Sequence, residues 1–145
     1  MSDSRFRWLL VLYIITLLAA AGVGFVPGGY SQALADAYAD EPLPLLLADT
    51  TVMLAVALPL LVAFVVGLIG LFCFWRRARA LSLYVTIAGL GVYLISGPTL
   101  QSPIENLLVE LLTLLWGAIL ASSYWSPIAS RFETNQEKKL ASQGP

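Results

Sequence analysis

Four apolar runs, each long enough to cross a bilayer and nearly free of charge, constrain this chain more than any other feature. They are residues 8–26, 50–75, 80–96 and 103–125. A hydrocarbon core about 30 Å thick takes about 20 helical residues at a rise of about 1.5 Å each. In lipid the backbone must satisfy its own polar groups, which a helix does within one segment. The runs therefore predict an all-α polytopic membrane protein built as a four-helix transmembrane bundle. Composition agrees, since 59% of the 145 residues are hydrophobic and 12% charged, where a soluble domain carries about 25% charge. An ordinary globular domain and intrinsic disorder are both excluded.

The chain reads as one membrane domain, 1–145: a first span at 8–26, an outer loop at 27–49, spans at 50–75, 80–96 and 103–125, and a tail at 126–145. Orientation follows from the cations, because Lys and Arg stay in short cytoplasmic segments. Arg5 and Arg7 precede the first span, Arg76, Arg77 and Arg79 separate the second from the third, and Arg131, Lys138 and Lys139 follow the fourth. The opposite connections hold Asp36, Asp40, Glu41, Asp49 and Glu105 and no cation. Both termini are expected in the cytoplasm. Trp8, Trp75 and Trp125 fall at the same ends of the spans, as interfacial anchors do. Arg5 and Arg7 with Ala19-Ala20-Ala21 would also suit a cleaved signal peptide, but the apolar stretch runs on to Val26, longer than a typical signal core. A retained span is expected.

Pro27-Gly28-Gly29 closes the first span. In the outer loop, Tyr30, Leu34 and Tyr38 recur at four-residue spacing, which predicts a short amphipathic helix on the membrane surface. Pro42 and Pro44 then break it before Leu45-Leu46-Leu47 begins the descent. Pro59 lies within the second span and is expected to kink it. Gly97-Pro98 ends the third. Arg76-Arg77-Ala78-Arg79 reads as a tight turn between antiparallel helices, with Arg76, Arg77 and Arg79 available to anionic lipid headgroups. The tail is expected to fray from a helical extension into disorder.

Two groups of residues on the fourth span carry chemistry. Ser102-Pro103-Ile104-Glu105 has the pattern of a capping box with Pro at the first helical position, which gives Glu105 a structural task. Glu110 falls about 6 Å inside the hydrocarbon boundary when the helix is measured from Trp125. Asn106, Glu110, Thr113, Gly117 and Ala121 share one stripe, expected to face the other helices, and a carboxylate at such depth is a candidate proton or cation site with Asn106 and Thr113 beside it.

Much else is excluded by composition. With no His and one Cys, Cys73, no zinc site is expected, and a net charge of −1 argues against a nucleic-acid partner. No nucleophile with a base, no CxxC and no phosphate loop occurs, so neither an enzyme nor a bound cofactor is expected. Two functions are consistent with the sequence. One is a non-catalytic accessory, assembly or scaffold subunit that meets another membrane protein or its own copies. The other is a small proton- or cation-coupled transporter or channel using Glu110.

In outline, with a long first outer loop and an Arg-rich second connection between four spans, the chain resembles DoxX-type bacterial membrane proteins. The stretch from Gly117-Ala118-Ile119-Leu120 through Ser126-Pro127 is similar to small uncharacterised bacterial inner-membrane proteins. These resemblances imply a four-helix fold in a bacterial inner membrane and assign no functional residue.

Overall fold

The computed structural model of the protein describes residues 2–23, 25, 31–40, 49–96 and 100–133. Pro27-Gly28-Gly29, Tyr30, Glu41, the Pro42 and Pro44 break, Leu45-Leu46-Leu47, Gly97-Pro98 and the tail beyond Glu133 lie outside them. Among the described residues there is no strand; the helices are α1 Asp3–Val23, α2 Gln32–Ala39, α3 Thr50–Phe72, α4 Arg76–Ile95 and α5 Pro103–Trp125, and residues 129–133 are helical as well. Four of these, α1, α3, α4 and α5, are long and apolar enough to cross a membrane.

Helix ends are set locally. Asp49 caps α3, its carboxylate accepting from the Thr51 N–H at 2.8 Å. Hydrogen bonds from the Thr51 and Val52 N–H groups hold its pKa below the usual carboxylate value. The cap therefore supports α3 above the ordinary Asp pKa, and loses that support as pH falls through the lowered one. α3 continues through Pro59 without a break in its helical assignment.

The second connection lies three residues earlier than the sequence suggests. α3 stops at Phe72, and the turn is Cys73-Phe74-Trp75; Arg76, Arg77 and Arg79 belong to the first turn of α4. Two hydrogen bonds explain the stop: Trp75 N–H to the Gly70 carbonyl at 2.8 Å and Phe74 N–H to the Leu71 carbonyl at 3.2 Å. This is the Schellman arrangement, whose pivot is usually glycine in the left-handed region. Here the pivot is Phe74, at φ 52°. A bulky residue in that region is strained by about 1–3 kcal/mol. Burial of its ring offsets the strain.

That ring belongs to a core concentrated at one end of the molecule. The start of α1, the α3–α4 turn and residues 126–133 meet there, and we call it the terminal end; the opposite end, where α3 and α5 begin, is the loop end. Phe6, Phe74 and Phe132 form a three-ring cluster with centroids 5.2–6.2 Å apart. Leu10, Leu71, Ala78, Ile119 and Ile128 surround it, each with almost no exposed surface. Residues 126–133 are thus part of the core, where a frayed extension was expected. Ile128 and Phe132 take up the apolar space left between α1 and the α3–α4 turn, which a polar tail would leave open.

α1 packs along α5, and α3 along α4. The second pairing depends on small residues. A Cβ at Gly70 would stand 2.5 Å from the Ala78 Cβ, and one at Gly67 2.8 Å from Ser82 Oγ. Such close approach is how helices gain contact in lipid, where no hydrophobic force joins them. Leu58, Leu61, Ile87, Leu90, Leu94, Leu107 and Leu114 are all exposed.

Candidate functional site

Ser102 and Glu105 open α5 with a complete capping box. The Glu105 N–H donates to Ser102 Oγ at 3.2 Å, and the Ser102 N–H donates to the Glu105 carboxylate at 2.6 Å. Caps of this kind are worth about 1 kcal/mol. The role of Glu105 is structural.

Glu110 lies one and a half turns further along, and its surroundings correct one expectation. Asn106, Glu110, Thr113, Gly117 and Ala121 are all exposed, pointing away from the chain's own helices. The face of α5 that packs consists of Leu112, Leu115, Trp116, Ile119 and Ser123. At 100° per residue the two faces are about 140° apart round the helix. Large apolar side chains make more dispersion contacts than small or polar ones, so they take the intramolecular interface. The Thr113 hydroxyl donates to the Val109 carbonyl at 2.9 Å. The Asn106 N–H donates to the Ser102 carbonyl at 2.9 Å, and among the described residues neither the Asn106 side chain nor the Glu110 carboxylate has a hydrogen-bond or ion-pair partner. That these five residues share one stripe was legible in the sequence; the direction of the stripe was not.

The cations at the terminal end also divide. Arg76 and Arg77 are exposed. Arg79 is not the lipid-facing residue its neighbours suggest, being only 8% exposed. Its guanidinium lies 4.9 Å from the Phe132 ring centroid and 5.3 Å from that of Tyr124, and Nη1 donates to the Ser123 carbonyl at 3.0 Å. One turn into α4, the side chain points toward α5 and the returning chain, where two ring faces and a carbonyl offset its charge. Arg7 stacks over Phe74 at 5.5 Å in the same way. Arg131 pairs with Asp3 at 3.3 Å, but both are largely solvated and the pair contributes little. Trp8, Trp75 and Trp125 lie at this end with their side chains exposed.

Midway along the bundle, Tyr13, Phe64 and Trp116 meet with centroids 5.0–6.2 Å apart, joining α1, α3 and α5. Beyond them, toward the loop end, an apolar cleft opens between α3, α4 and α5. Glu110 does not line it.

No protein family, curated protein or solved structure matches this chain.

Proposed function

We propose that the protein is a non-catalytic assembly subunit of a bacterial inner-membrane complex, and that the outward face of α5 meets a helix of another membrane protein or of a second copy. The exposure of Asn106, Glu110 and Thr113 on one face within the span supports this reading. A carboxylate turned toward lipid is costly and is relieved by a polar neighbour. Gly117 and Ala121 on the same face allow that neighbour a close approach. A transport role for Glu110 would need the carboxylate on an enclosed polar path, whereas the described cleft is apolar and lies on another face of α5.

Gly117 offers a clean test. A Cβ there would meet nothing within 4 Å, so Gly117→Leu should leave the melting temperature of the isolated chain unchanged. In native-lipid particles the wild-type chain should migrate as a defined assembly, and the variant should lose it. Glu110→Gln should weaken the assembly while Glu105→Gln should not. A wild-type chain that runs alone, or a proton flux across vesicles abolished by Glu110→Gln, would favour the transporter instead.

The reading also places both termini in the cytoplasm. Cys73 is exposed at the terminal end and should react with a membrane-impermeant thiol reagent only after the membrane is opened. Ala37→Cys in a Cys73→Ala background should react in intact cells stripped of their outer membrane. The opposite pattern would invert the topology.

A further inference from the structure

The cleft between α3, α4 and α5 is open to the surface and has a volume of about 620 Å³. Leu54, Leu58, Leu61 and Val85 form its walls, and Phe64 and Trp116 close it on the side of the core. None of its lining residues carries a charge, and its polar atoms are engaged with each other. Trp116 Nε1 donates to Thr86 Oγ1 at 2.8 Å, and that hydroxyl donates to the Ser82 carbonyl at 2.8 Å. Gly89 lines the cleft as well, and a Cβ there would meet nothing within 4 Å. Glycine inside a helix costs about 0.5–1 kcal/mol relative to alanine, and among the described residues no neighbour requires it at this position. None of the described residues fills the space it leaves.

The geometry points to a lipid-tail site: the cleft holds one acyl chain of a membrane phospholipid, with the end of the tail against Phe64 and Trp116. Size and chemistry select this occupant. A helix from a second copy, about 10 Å across and 30 Å long, occupies on the order of 2,000 Å³, so most of it would stay outside the cleft and only a few side chains could enter. Water needs two or more open polar partners, and Trp116 and Thr86 are already paired. A single hydrocarbon tail is slender, wholly apolar and supplied by the bilayer around every span. Dispersion contact and shape hold it, because burial from lipid brings no hydrophobic gain. The assignment requires only that the helices cross a bilayer, and is independent of the role proposed for α5.

Trp116 reports on the site directly. Replacing Trp8, Trp75 and Trp125 with Phe leaves it as the one tryptophan of the four. In phosphatidylcholine vesicles containing a phospholipid brominated at mid-chain, its emission should be strongly quenched. Gly89→Leu fills the cleft without a clash and should reduce the quenching roughly twofold or more, as the tail loses contact with the ring. Ala57→Leu, on an exposed wall position, should act in the same direction and carries the comparison if Gly89→Leu does not fold. Absence of quenching in the single-tryptophan protein would mean that the cleft is closed or filled by protein, and would overturn the assignment. Equal quenching in the parent and in whichever of these variants folds, with helical content retained, would overturn it too.

Discussion

Phe132→Ala is expected to lower stability by about 3–5 kcal/mol, the usual range for removing a fully buried aromatic side chain. The ring is entirely buried and touches three partners at once: Phe6, Phe74 and the Arg79 guanidinium. Its loss would leave a cavity bounded by two rings and a cation without its stacking face. It would also remove packing that offsets the strained backbone of Phe74. Thermal unfolding in mild detergent, followed by circular dichroism, reads the effect. Trp125→Ala, which truncates a side chain 87% exposed, is the control and should change little. If the two variants melted alike, residues 126–133 would not be docked on the bundle.

Gly70→Leu should be the next most damaging change, and its cause is contact of the opposite kind. The added Cβ alone would stand 2.5 Å from the Ala78 Cβ and 3.0 Å from Trp75 Cε3. Neither helix can yield at a Cβ without moving its backbone, so α3 and α4 must part at their closest point. Overpacking typically costs about 1–3 kcal/mol, and occasionally more. A lower melting temperature is expected, with partial recovery when Gly70→Ala is combined with Ala78→Gly, as coupled neighbours should show. Gly91→Ala, at a position with nothing within 4 Å, should be neutral or slightly stabilising. Full tolerance of Gly70→Leu would show that the α3–α4 crossing lies elsewhere.

The parts of this fold legible in the sequence are those decided by local physics. Span length, the Ser102 and Glu105 cap and the segregation of cations each depend on residues close together in the chain. The α3–α4 turn was misplaced because a tight turn is ordinarily marked by Gly or Asn, and here a phenylalanine adopts the left-handed conformation. Asp49 as a cap was within reach, since an Asp before an apolar run is an N-terminal signal. Ile128 and Phe132 were not, because their partners on α1 and at the α3–α4 turn are far away in sequence. The direction of the α5 stripe was undecidable for a different reason. A helical wheel shows which residues share a face, but in lipid both faces have apolar neighbours, so polarity does not reveal which one turns inward.

The meeting of Phe6 with Phe132 has a consequence for biogenesis. Domains emerge from the ribosome beginning at the N-terminus, so α1 enters the membrane early while its ring partner is almost the last described residue to be made. Throughout insertion of the intervening spans, Phe6 and Phe74 lack the side chain that completes their cluster. The finished protein therefore cannot be reached span by span. Its terminal end latches only once translation has passed Phe132, and a chain stalled or cleaved before that residue would keep its helices in the bilayer with the latch open.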